Sequence, residues 1–220
     1  VGWSTVGPCV GAAAAAGDTV ATAGTSGAGG STLRQLAMAE SIQLARDLAL
    51  LEYTGGHLHA ATISTAESVE MIRAAKARKL KVTASVTAYN LLLDDGCLRG
   101  FETCYKVMPP LRDARHIEAL RDGVKDGTID AIVSDHRPED REHKVLEFGP
   151  AAFGIIGSET AFAVANTALK GRMSLRRTIE RFSNGPRAVL GLPAVHFAAG
   201  ERAGITLFDP EVDWTCEEHD

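Results

Sequence analysis

The stretch from Asp126 to Asp140, DGTIDAIVSDHRPED, limits the folds open to this chain more than any other. An Asp-Gly turn leads into Ile129-Asp130-Ala131-Ile132-Val133, an apolar run that reads as a buried strand. A polar cluster follows at once, Ser134-Asp135-His136-Arg137-Pro138-Glu139-Asp140. Pro138 has no N–H to offer a ladder, so the strand must stop before it. Short buried strands that release an acid and a histidine at their C-terminal ends are how parallel α/β proteins build sites. Apart from Asp135, the same residues also fit an ordinary strand exit with solvated charges.

Upstream, the pattern alternates between helical and strand-like periods. Leu36, Met38, Ile42, Leu44, Leu48 and Leu51 recur at helical spacing until Gly55-Gly56 stops them. His57–Ile63 reads as a strand. The helix after it is capped by Ser64 or Thr65 and has Glu67 and Glu70 near its positive end. Leu80–Val86 is the next strand. A proline loop, Lys106-Val107-Met108-Pro109-Pro110-Leu111-Arg112, precedes a helix from Asp113 or Ala114. After the focal strand, Phe153-Gly154-Ile155-Ile156-Gly157 reads as a glycine-flanked loop, with helices over Thr160–Leu169 and Ser174–Phe182. Ile205-Thr206-Leu207-Phe208 reads as a strand in a small antiparallel segment. This order of elements predicts parallel βα units. Three such strands are too few for a closed (β/α)8 barrel, which needs about 250 residues.

Composition narrows the function classes. A net charge of −5 argues against nucleic acid and offers no basic patch to a membrane surface. No apolar run reaches the roughly 18 residues of a membrane span. Cys9, Cys97, Cys104 and Cys216 form no C-x-x-C pair, so reduced thiols in a cytoplasmic protein are expected. Residues 1–32, almost all Gly, Ala, Thr and Ser between positions 11 and 32, read as a flexible lead-in. Gly24–Ser31 lacks the Lys of a phosphate loop. Val1-Gly2-Trp3 shows neither an initiator Met nor a signal peptide, and the natural start is expected upstream.

Six segments, in order, resemble the dihydroorotases and related cyclic amidohydrolases. They are His59–Val69, Val82–Thr87 with Leu91–Leu93, Lys106–Arg112, Asp126–Asp135, Phe153–Glu159 and Ala203–Pro210. The resemblance implies an α/β fold, the second half of a metal-dependent hydrolase (β/α)8 TIM barrel with a small C-terminal β segment. The implied division is a lead-in over 1–32, a partial barrel over 33–192, and a β segment and tail over 193–220. It further implies a hydrolase of cyclic amides in pyrimidine synthesis that binds zinc. Asp135 would be both metal ligand and proton-transfer group, and His136, Gly154 and Gly157 would face the substrate.

The departures from the family are equally specific. Its H-x-H motif has no counterpart here. A metal-binding His falls at Thr62, a His-His pair at Tyr89-Asn90, and a substrate-contacting Asn at Met108. The D-H-A-P-H run becomes Asp135-His136-Arg137-Pro138-Glu139. A catalytic zinc needs about three protein ligands and a water, and Asp135 alone does not supply them. Because side chains alternate along a strand, His57 and His59 are expected to face the helices if Thr62 faces the barrel interior. His116, His143, His196 and His219 are expected to be bystanders. Three readings follow: a family enzyme on a small cyclic amide, a non-catalytic scaffold subunit of aspartate carbamoyltransferase, and a truncated fragment. An oligomer is expected.

Overall fold

A computed structural model describes residues 29–196, 198–200 and 204–213, and the side chains from residue 37 onward. Most of the expected lead-in therefore lies outside the described residues, but its last residues do not follow that expectation. Helix α1 spans Gly29–Thr54 and begins before the apolar stripe does. The order continues β1 Leu58–Ala60, α2 Ala66–Ala77, β2 Val82–Thr87, α3 Ala114–Asp126, β3 Ala131–Val133, α4 Arg141–Lys144, α5 Ala161–Leu169, α6 Leu175–Phe182 and α7 Asn184–Val189.

The strands form one sheet in the order β1-β2-β3. All pairings are parallel, with Leu58 opposite Val82 and Ser85 opposite Ala131. The alternation expected from sequence is thus present, with shorter strands than the apolar runs suggested. Helix ends follow local chemistry. Thr65 caps α2 by accepting from the Ser68 N–H, and Asp113 caps α3 by accepting from His116. Gly127 ends α3 at φ 91°, a left-handed position that suits a residue without Cβ. The Asp-Gly turn read from the sequence is this C-cap.

Val82, Ala84 and Val86 on one face of β2 join Val69, Ile72 and Ala75 of α2 in the core. Leu120 and Val124 of α3, Ile132 of β3 and Leu44, Leu48 and Leu51 of α1 complete it. Period 2 on the strand and period 3.6 on the helices both point into this layer.

Two further expectations fail. The described part of 193–220 holds no strand: Gly204–Asp209, which includes Ile205–Phe208, takes no regular structure, and Leu207 is 97% exposed. An apolar run becomes a strand only when a neighbouring strand supplies its ladder bonds. Cys104 is disulfide-bonded rather than reduced, while Cys97 is free.

Candidate functional site

The C-terminal ends of β2 and β3 bring the candidate residues together. Past Val133 the chain leaves the sheet, and Asp135 adopts φ 45°, a left-handed conformation uncommon for residues other than Gly, Asn and Asp. That turn points its carboxylate back towards the end of β2. Oδ2 accepts a hydrogen bond from the Tyr89 hydroxyl at 2.7 Å. Oδ1 accepts from Arg137 Nε at 3.1 Å, and the Asp135 side chain is only 11% exposed. Burial, then the bond to Asp135, pushes the Tyr89 phenol well above its usual range, so it stays a neutral donor near pH 7.

His136 turns the other way. Its Nδ1 accepts from the N–H groups of Gly157 and Ser158 at 3.2 and 3.3 Å. The residue also makes an isolated parallel bridge with Ile155. Gly154 and Gly157 are required by this close approach. A Cβ at Gly154 would lie 2.4 Å from the Arg137 carbonyl oxygen, and one at Gly157 would lie 2.7 Å from that of Ser134. The four residues singled out from sequence, Asp135, His136, Gly154 and Gly157, therefore form one contiguous set. Beside it lies a small, largely apolar cavity lined by Ala88, Tyr89, Leu93, Ile155, Gly157 and Thr160, among others.

The positions that the resemblance sets against family histidines (Thr62, Tyr89-Asn90) and a substrate-contacting Asn (Met108) hold other residues. Thr62 sits at φ 52° and donates its N–H to Ser85 Oγ at 3.1 Å. Asn90 is buried and bonds Thr87 and the Pro110 carbonyl. Met108 is 45% exposed. The expectation for His59 is corrected. Its two ring nitrogens bond Thr83 Oγ1 at 2.9 Å and Ser85 Oγ at 3.2 Å. Thr83 and Ser85 alternate with the core-facing Val82, Ala84 and Val86, so His59 lies on the sheet face away from the helices. The alternation used to place it from Thr62 fails because β1 ends at Ala60 and the chain turns before Thr62. His116, expected to be a bystander, is 7% exposed and accepts the Ala66 N–H on Nδ1 at 2.9 Å. Its helical spacing with Ile117 and Leu120 was the available signal.

These residues do not fit a zinc ion. Both oxygens of Asp135 already have partners, and Tyr89 and Asn90 offer no imidazole. Among the described residues, no group of three or more His, Cys, Asp or Glu side chains is placed to hold a metal. What the arrangement offers chemically is a carboxylate, a neutral phenol donor and a guanidinium beside an apolar hollow.

No family model matches the chain. Dihydroorotase from Anaeromyxobacter dehalogenans (strain 2CP-C) is 44% identical over 182 residues, covering 81% of this chain and 42% of that protein. Dihydroorotase from Syntrophotalea carbinolica is 41% identical over 181 residues, 82% of this chain and 43% of that one. The chain thus spans less than half the length of the curated relatives it matches. Among solved structures, L-hydantoinase (dihydropyrimidinase) from Arthrobacter aurescens matches with a TM-score of 0.64 at 27% identity, over 69% of this chain and 35% of that one. D-hydantoinase from Thermus sp. gives 0.62 at 29% identity, over 68% and 34%. Over four-fifths of its residues this chain is similar, at 41–44% identity, to a part of curated dihydroorotases, and its fold is similar to a part of the hydantoinases.

Proposed function

We propose that this chain is a dihydroorotase-like, cytoplasmic protein of pyrimidine biosynthesis whose own capacity for amide hydrolysis is impaired. In this reading it forms the second half of a (β/α)8 barrel. The ends of β2 and β3, with Asp135, His136, Gly154 and Gly157, face the position of a small cyclic amide.

The observation that carries the impairment is the double engagement of Asp135 by Tyr89 and Arg137. By resemblance, the same carboxylate in an active relative holds a metal and moves a proton for the attacking water. Here a hydroxyl and a guanidinium hold it instead, and the described residues supply no set of about three protein ligands around it. The test is direct. Purified chain, dialysed after exposure to zinc, is expected to retain no stoichiometric metal and to leave dihydroorotate intact. Retained zinc together with hydrolysis that a chelator abolishes would overturn the reading.

The aromatic–polar pair Tyr89-Asn90, in place of a His-His pair, favours one companion reading: a non-catalytic scaffold subunit for aspartate carbamoyltransferase. Co-purification of that enzyme, unaffected by Asp135→Asn, supports it. Loss of binding in Asp135→Asn, or no binding at all, counts against it.

A further inference from the structure

Two connecting segments, called loops below, meet beside the candidate site, one over residues 99–106 and one over 137–157, which contains the single turn of α4. Their contacts are reciprocal. The Thr103 hydroxyl donates to the Lys144 carbonyl at 2.7 Å. The Lys144 ammonium donates back to the carbonyls of Thr103 at 2.8 Å and Ala152 at 3.1 Å. Lys106, only 8% exposed, donates to the carbonyls of Phe148 at 2.8 Å and Gly149 at 2.7 Å. Its Nζ also lies 5.4 Å from the Phe148 ring centre and 4.6 Å from that of Phe153. Phe101 meets Phe148 edge to face at 5.8 Å.

A buried ammonium must find acceptors. Lys106 finds two backbone carbonyls of the opposite loop, and Lys144 finds one there and one in its own, acceptors tied to chain position rather than to a movable side chain. A charged donor makes such bonds stronger than neutral ones. The Lys106 carbonyl, meanwhile, accepts from the Gly154 N–H at 3.0 Å. From there Arg137 N–H bonds Ile155 at 2.9 Å, and Gly157 reaches His136. Lys106 therefore holds Phe148, Gly149 and Phe153 by its side chain and Gly154, the start of the glycine segment, by its backbone.

We propose that the two loops open and close as one strap, fastened by Lys106, and that Lys106 is a positioning residue for the Gly154–Gly157 segment. The consequence for a ligand rests on the proposed location of the site. The mechanical coupling does not, and it can be read without ligand or metal.

Amide hydrogen exchange on the full chain tests it. Lys106→Met is expected to speed exchange at Ala152 and Gly154 and, to the same extent, at Phe101 and Tyr105, by about tenfold or more. The Val69 and Ala84 amides, which report on the core, are expected to keep their rates. Thr103→Val removes one loop-to-loop bond from the other side, and a smaller rise in both loops is expected. Should Lys106→Met also free the core amides, the Thr103→Val pattern decides between coupled and independent loops. A rise confined to one loop, or unchanged rates in both, overturns the proposal.

Discussion

Asp135 shows how a single residue can keep its place and lose its surroundings. Its position at the end of a buried strand was legible because the apolar run and Pro138 bracket it. Its partners were not, because Tyr89 lies 46 positions away in sequence and meets it only when β2 and β3 pair. Tyr89→Phe removes the donor to Oδ2 and keeps the ring. It is expected to lower stability by about 1 kcal/mol, measured by urea denaturation. His116 carries a pH dependence. Burial lowers its pKa from the usual imidazole value, against opposing help from Asp113 and Glu67. Its Nδ1 accepts the Ala66 N–H, and only the neutral ring can do so. The unfolded chain therefore binds the proton more readily. This part of the stability is complete above about pH 6.5 and is lost as pH falls through the lowered folded value. The difference in urea midpoint between wild type and His116→Gln is expected to shrink from pH 7.5 to pH 5. An unchanged difference would show that the ring is not the acceptor.

At the scale of elements, one carboxylate ties α1 to α2. Glu40 accepts from the Ser64 and Thr65 N–H groups and from the hydroxyls of Ser64, Thr65 and Ser68. Arg112, 3% exposed on its side chain, lies 3.4 Å from the same carboxylate. A negative charge at a helix N-terminus also complements the dipole of α2. Glu40→Ala would leave a buried guanidinium without its carboxylate and is expected to destabilise by about 3 kcal/mol, read by thermal or urea melts. The sequence showed the α2 cap but not its occupant, because Glu40 lies a full element upstream. The glycine segment makes a second element-scale case. Gly154→Ala forces a Cβ against the Arg137 carbonyl and is expected to cost about 1–3 kcal/mol. Its exchange-labelled neighbours at Ile155 and Gly157 are expected to loosen first. A neutral effect would mean that the segment does not pack on the strand exit as closely as it does here.

Among the described residues, the helices cover one face of the sheet, and the other mixes polar side chains with Ala131 and Val133. His59, Thr83 and Ser85 lie on that second face. Among the described residues β1 and β3 each have one strand neighbour. Open strand edges recruit partners. Isolated chain is therefore expected to associate as concentration rises, followed by sedimentation velocity. A monodisperse monomer at every concentration would contradict this. Among the described residues no helix is long and apolar enough to cross a membrane.

Local information was sufficient for the order of the three parallel strands and the helices between them, the cap of α2, and the delivery of Asp135 and His136 at a strand end. Those features depend on hydrophobic period, on proline and glycine stereochemistry, and on residues within a few positions of each other. Contacts between distant segments decided the rest. Packing alone set which oxygen of Asp135 meets Tyr89, which face His59 occupies past the break at Ala60, and how Lys106 and Lys144 fasten two loops. It also left Ile205–Phe208 without a ladder, since an apolar run is a strand only beside another strand.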